Sequence, residues 1–375
     1  MNNSFLLLHL AQIDGIGPQT VLSLIASVLN VSKDDLIRSA QLMNADLTVF
    51  YQYKISDFMN HGLSQKIARK LVDELANQDE IEKESDEMEK HDIRWVSFCD
   101  VEYPELLRHI HAPPIGLYVK GAGLKSGQLH CGVVGSRMAG AYAESVIDVL
   151  VTPFILSDGI VVSGGALGVD GMAHTRAVQC QKPTIVVLGS GLLSLYPRQH
   201  LSLFDRILAT GGSLISPFSL HTGPDRFNFP IRNRIIAGLS KAVLVVQAAE
   251  KSGALITAEY ALQEGRSVMA IPGSIDDPLS AGCHKLLKQG ALLVTSYQDL
   301  CDEMGMQEMG MSEQKIDFVQ QEEKDPLLVE LKVAHHIESL ALKLNQTLDD
   351  TEDRLFTLQL DGLVIQRIDG SWIRS

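Results

Sequence analysis

Cysteine is scarce and unpaired in this 375-residue chain. Cys99, Cys131, Cys180, Cys283 and Cys301 are scattered, odd in number and without a CxxC pair. That argues against both a disulfide framework and a zinc site, so no metal is expected. Long apolar runs are missing as well. No stretch offers about 18 uninterrupted apolar residues, which excludes a transmembrane helix and leaves no membrane partner. The start, Met1-Asn-Asn-Ser, lacks a basic region, and the apolar run Phe5–Leu8 is too short for a signal peptide. A cytoplasmic location is expected. Positive charge is in deficit: 32 Lys and Arg face 46 Asp and Glu, for a formal net charge of -14. As a sum this disfavours nucleic acid, because backbone binding rests on Lys and Arg that displace counterions. Binding depends on a local patch, however, so the clustering of the basic residues decides.

Apolar residues make up 45% of the chain, enough for a sizeable core. A single core rarely grows past about 250–300 residues, so two or three domains are expected. Residues 1–76 read as short helices. Leu6, Leu7, Leu10 and Ile13 form a stripe at helical spacing, Asp14-Gly-Ile-Gly-Pro18 makes a tight turn, and Val21, Leu22, Leu24, Ile25 and Val28 resume the period. The outline is a helix-hairpin-helix. Its turn could meet a phosphate, but it carries no Lys or Arg, which favours packing alone. Asn77–Asp92 is an acidic run, read as a solvated helix face or linker.

Residues 93–300 change character. The β-branched runs Cys131–Val134, Ile160–Ser163, Thr184–Leu188, Ser213–Ser216, Ala242–Val246 and Ser267–Ile271 alternate with glycine turns and helical patterns. Near-continuous apolar strands between helices signal a parallel sheet covered on both faces. The expected fold is a Rossmann-like, doubly wound α/β domain whose ligands sit at the carboxyl ends of the strands. Residues 301–325 read as a flexible linker. Residues 326–375 carry two helical stripes, Leu327 with Leu331 and Ile337 with Leu340 and Leu344. A hairpin turning at Asp369-Gly370 follows, and the whole suggests a small winged-helix domain.

Several glycine turns end these strands. Gly132-Val-Val-Gly135-Ser136-Arg137 offers backbone N–H groups to an anion, and Arg137 adds a planar cation suited to phosphate. Ser163-Gly164-Gly165-Ala-Leu-Gly-Val-Asp170 allows close backbone approach. Asp170 and His174, four apart, share a helix face. A buried carboxylate–imidazole bond is the favoured reading over acid–base work, since no nucleophile or metal-ligand set accompanies them. Gly189-Ser-Gly191, followed by Tyr196-Pro-Arg198, lacks the third glycine and the distal acidic residue of a dinucleotide site, so no cofactor is expected. The most informative stretch is Arg226-Phe-Asn-Phe229-Pro-Ile-Arg232-Asn233-Arg234. Arginines for phosphate and aromatics for stacking are what a single strand requires. Asn233 reads a base edge or holds the loop. Pro230 is expected to keep Phe229 extended, ready to stack. Ser252-Gly253 opens another helix whose N-terminus accepts anions.

Taken in order, these blocks resemble the DNA-processing protein A (DprA/Smf) family. The landmarks are Val134-Gly-Ser-Arg137, Ser163-Gly-Gly-Ala-Leu-Gly-Val-Asp with Ala173-His174, and Val187-Leu-Gly-Ser-Gly191 with Tyr196-Pro197. They continue with Phe229-Pro-Ile-Arg-Asn-Arg-Ile-Ile-Ala-Gly-Leu-Ser240, Lys251-Ser-Gly-Ala-Leu-Ile-Thr-Ala258 and Ile271-Pro-Gly273. The resemblance implies a single-stranded-DNA binder without catalytic chemistry that helps load the recombinase RecA in natural transformation. It also implies a homodimer paired through the Rossmann-like domain. By position, Arg137 matches the family's phosphate-pocket arginine, and Arg226 and Phe229 look like its basic and aromatic contacts. The sequence departs at Gln247 and Pro217, where Glu is usual, and at Ala143, where Gly is more usual. A nucleotide-processing hydrolase of related fold is the alternative. Its Pro-Gly-Gly-x-Gly-Thr loop is here Ser252-Gly-Ala-Leu-Ile-Thr, which lacks the double glycine, and Glu259 alone does not restore the motif.

Overall fold

A computed structural model of the chain describes residues 2–38, 45–124, 127–306, 326–331, 333–360, 364–367 and 370–374. The chain divides into two compact units, residues 1–307 and 308–375.

The first unit is organised by a nine-stranded sheet. Its strands are β1 (Ile93–Ser97), β2 (Gly116–Gly121), β3 (His130–Val134), β4 (Ile160–Ser163), β5 (Thr184–Val187), β6 (Ser213–Ser216), β7 (Ala242–Val245), β8 (Ser267–Ala270) and β9 (Leu292–Leu293). Their order across the sheet is β1-β2-β6-β5-β4-β3-β7-β8-β9. From β6 to β9 every pair is parallel, whereas β1–β2 and β2–β6 are antiparallel. The six apolar runs of the sequence are thus six of the seven parallel strands of a Rossmann-like α/β sheet, each placed to within one residue. Period-two alternation explains why they are apolar throughout. Val243 and Val245 enter the core on one face of β7, and Leu244 and Val246 enter the core on the other. The strands β1, β2 and β9 were not anticipated.

The N-terminal helices share the sheet's core. Leu6, Leu10, Leu22 and Ile25 belong to the same buried cluster as Leu117, Val119 and Val187. Gln12 Nε2 donates to Tyr118 Oη at 3.4 Å, and Gln19 Nε2 donates to the His111 carbonyl at 2.8 Å. The acidic run is a helix, Asp79–Lys90, anchored by buried Ile81 and Met88. Its Glu84 carboxylate accepts from Tyr118 Oη at 2.9 Å and from the Leu220 N–H at 3.2 Å. At the other end, the helix Tyr297–Met304 runs past residue 300, and residues 307–325 of the expected linker lie outside the described residues.

The second unit holds helices Pro326–Glu330, Ile337–Leu344 and Leu348–Leu360 and the antiparallel strands β10 (Val364–Gln366) and β11 (Trp372–Arg374). Leu327, Leu331, Leu340, Leu355, Val364 and Trp372 pack into its core. Of the expected hairpin turn, Gly370 takes a φ of 82°, as glycine permits. Asp369 lies outside the described residues.

Candidate nucleic-acid interface

The chain runs from β3 outward through β4, β5 and β6, then returns to place β7 on the other flank of β3. That reversal opens a crevice at the carboxyl ends of β3 and β7, where α/β sheets bind their ligands. A groove of about 370 Å³ lies there.

One wall is the turn after β3. Ser136 N–H donates to the Gln247 carbonyl at 2.7 Å, which ties this turn to the exit of β7. A Cβ at Gly135 would stand 2.5 Å from Val169 Cγ2, so only glycine fits. The Ser136 hydroxyl is buried and accepts from the Met138 N–H at 3.1 Å. It therefore shapes the turn at the edge of the groove. Arg137 is exposed, with its guanidinium 5.3 Å from the centre of the Phe229 ring.

The opposite wall is the start of the helix Gly253–Gln263. Ser252 Oγ caps it, accepting from the Ala254 N–H at 3.2 Å. Exposed Gly253 and the first-turn N–H groups border the groove, a favourable place for an anion.

The floor corrects the reading of the arginine block. Residues 228–239 form a helix, Asn228–Leu239, with Pro230 in its first turn. Proline is tolerated there because the first N–H groups of a helix have no intrahelical acceptor. Phe229 is therefore helical, not extended, and half-buried. Helical phase then separates its neighbours. Arg232 is 4% exposed. Its Nη1 donates to the carbonyls of Gly164, in a short bond, and of Val187, at 2.8 Å, while its Nε donates to Asn233 Oδ1 at 3.0 Å. Burial lowers its pKa to about 10, which leaves it a cation at neutral pH. Arg232 is thus a strut beneath the groove. Asn233 holds the wall: its Oδ1 accepts from Arg232 and its Nδ2 donates to the Gly253 carbonyl at 3.4 Å. Arg234 falls about 200° round the helix from Arg232 and does not border the groove. Arg226, just before the helix, is exposed and lies over exposed Phe227, 4.7 Å from its ring centre. Phe227 was not singled out from the sequence. Its place beside Arg226, in the same Phe-Asn-Phe run, was the available signal.

Gly164 and Gly165 are both buried and serve the scaffold. Gly164 N–H donates to Asp170 Oδ2 at 3.0 Å, and a Cβ at Gly164 would collide with the Arg232 guanidinium. Gly165, at a φ of 65°, lies against Val186 and Phe204. Asp170 also accepts from the Ala166 N–H at 3.4 Å, and burial raises its pKa despite the opposing Arg232 charge. The expected Asp170–His174 bond does not form. His174 Nδ1 pairs instead with Thr184 Oγ1 at 2.8 Å, and burial lowers its pKa to about 3. His174 is enclosed, Asp170 is buried at the edge of the groove, and each is engaged by a different partner. Among the described residues no group of three or more His, Cys, Asp or Glu side chains is placed to hold a metal, and no helix is long and apolar enough to cross a membrane.

The groove is consequently basic within an acidic protein. Arg137, Arg226 and Arg232 line it against the single carboxylate of Asp170, with Phe229 between them. Residues 94–305 match the family of DNA recombination-mediator protein A. The chain is 40% identical over 213 residues to DNA processing protein DprA of Bacillus subtilis, covering 56% of this chain and 71% of that one. It is 44% identical over 204 residues to protein Smf of Escherichia coli, covering 54% of each. The crystal structure of DNA processing protein A from Streptococcus pneumoniae superposes with a TM-score of 0.65 at 30% identity, over 81% of this chain and 99% of that one. The same protein from Helicobacter pylori, solved to explain its single-stranded-DNA binding mode, superposes with a TM-score of 0.50 at 26% identity, over 56% of this chain and 94% of that one. The chain belongs to the DNA recombination-mediator protein A family, DprA/Smf.

Proposed function

We propose that the groove at the β3–β7 switch point binds single-stranded DNA without marked sequence preference. The observation that carries this reading is a guanidinium-rich groove around a partly exposed phenylalanine, in a chain whose net charge is -14. Exposed Arg137 and Arg226 meet phosphates, and the start of the helix Gly253–Gln263 adds N–H donors. Phe229 and Phe227 offer π-faces to bases. A duplex hides its base faces in the stack, so an aromatic-lined groove favours the single strand. The test is anisotropy with single- and double-stranded oligonucleotides across a salt series. Tighter binding of the single strand, weakening as salt rises, is expected; equal affinity for duplex overturns the reading.

Family membership supports three further parts of the proposal. The bound strand is handed to the recombinase RecA during natural transformation, in the cytoplasm. The protein acts as a homodimer paired through its Rossmann-like unit. The C-terminal unit is a winged-helix module, a reading supported by its three helices and hairpin. The protein acts by binding alone: Asp170 and His174, which share a helix face, are engaged by separate partners and form no acid–base pair. Incubation with nucleoside monophosphates tests this point, and base release would favour the hydrolase reading.

A further inference from the structure

Phe229 is a partition. On one side lies the groove. On the other lies a recess of about 60 Å³, bordered by Tyr196, Pro197, Gln199, Gly189 and Leu167. Arg137, Phe229 and Arg232 line both. The recess is too small to enclose a nucleobase, but its rim carries an aromatic face. Tyr196 is 41% exposed, and its ring centre lies 6.2 Å from that of Phe229, tilted by 50°.

The loop that presents Tyr196 is held on both sides. Gly191 N–H donates to the Thr222 carbonyl at 2.8 Å, and Leu193 N–H donates to the Leu220 carbonyl at 2.9 Å. Pro197 is buried. At the exit of β5, a Cβ on Gly189 would stand 2.8 Å from Phe229 Cδ1, so the strand end is cut away to seat that ring. The anchored loop thus holds a large, partly exposed aromatic face in a fixed place beside the exposed Arg137 guanidinium.

Building on the single-strand reading above, we propose that the recess is a second base subsite. Tyr196 stacks the nucleobase adjacent to the one on Phe229, and Arg137, common to both sides, holds the phosphate between them. The strand then continues from the groove past Phe229 toward Gln199. The ligand is one further nucleotide of the same strand, recognised by its π-face, which every base possesses.

The test uses the full chain, oligothymidylates of increasing length and 2-aminopurine placed at each position in turn. Tyr196→Ala should weaken binding of the longer oligonucleotides by about 5-fold to 150-fold, the range of one stacked base, and leave the shortest binders unchanged. Tyr196→Phe should bind as the wild type. Tyr196→Leu keeps bulk against Phe229 without a π-face and should behave as the alanine variant. The salt slope and melting temperature should not move in any of the three. One 2-aminopurine position quenched in the wild type should regain fluorescence with the leucine variant. Equal affinity of Tyr196→Leu and wild type for every length overturns the subsite and leaves the groove reading standing. A wild type that binds no oligonucleotide overturns both. A loss with Tyr196→Phe as large as with Tyr196→Leu also overturns it, because stacking would then not be the cause.

Discussion

Replacing Arg232 with methionine should destabilise the protein in a pH-dependent way. The change removes the donors to Gly164 O, Val187 O and Asn233 Oδ1 and takes away the cation that opposes Asp170. Deleting one partner of a buried charged pair costs about 3–5 kcal/mol, because the other charge is left uncompensated. The sign of the pH dependence follows from Asp170. Burial raises its folded pKa and Arg232 lowers it, so without Arg232 the pKa rises further. A carboxyl group whose folded pKa exceeds its unfolded one binds more protons in the native state between the two values. Its stability contribution is therefore present at low pH and lost as pH rises through that window. Arg232→Met should accordingly show its full penalty at pH 7 and a smaller one on acidification. Adding Asp170→Asn should recover part of the loss at pH 7. The measurement is urea unfolding of each variant and the wild type at several pH values. The two tryptophans, Trp95 and Trp372, fall in different units, so a Trp372→Phe background makes the signal report the first unit alone. Arg232 also depresses the His174 pKa, so every chain compared carries His174→Leu, and variant minus reference then cancels the remaining titrating groups. A penalty that stays constant with pH, or a double variant less stable than Arg232→Met, would refute the argument.

Arg137→Ala should weaken single-strand binding and reduce the slope of log K against log salt by about 0.7, the loss of one phosphate contact. Phe229→Ala should weaken it by roughly 1–3 kcal/mol with the slope unchanged, and anisotropy across a salt series separates the two. His174 has a folded pKa of about 3 against an ordinary 6.5. Wild-type stability should therefore fall as pH drops from 6.5 toward 3, by at most about 5 kcal/mol. His174→Leu should flatten that part of the curve in denaturant titrations. Deleting residues 325–375 should leave a dimer in sedimentation at micromolar concentration, and a monomer would count against pairing through the Rossmann-like unit.

Six of the parallel strands, β3 to β8, were legible because each is largely buried on two faces and so reads as a nearly unbroken apolar run between glycine turns. By contrast, β1 carries Arg94, Trp95 and Ser97, with Arg94 exposed, and β9 has two residues, both exposed. Neither leaves an apolar run to find. The groove was legible at Arg137 and Arg226, which stand at a glycine turn and in a loop, where the next residue tells where the side chain goes. It was misread at Arg232 and Arg234, whereas Asn233 takes the holding role, one of the two expected of it. Treating Pro230 as a break made these three a single basic loop. With Pro230 in the first turn, each step advances about 100°, and the three side chains part toward a buried strut, a wall and a different face. The roles of Gly164, Asp170 and Arg232 as one clamp depend on contacts across 68 residues of chain, which no local pattern records.

The core shared between the N-terminal helices and the sheet also limits how this molecule can be taken apart. Leu6, Leu10, Ile25 and Leu71 belong to the same apolar mass as Leu117, Ile215 and Val243. Glu84, on the acidic helix, is a common acceptor for β2 and for the segment after β6. A fragment starting near residue 93 would bare that apolar face to water and leave Tyr118 without its carboxylate. Such a piece would favour self-association over folding, so loss of DNA binding on trimming the N-terminus would report on solubility before it reported on contacts.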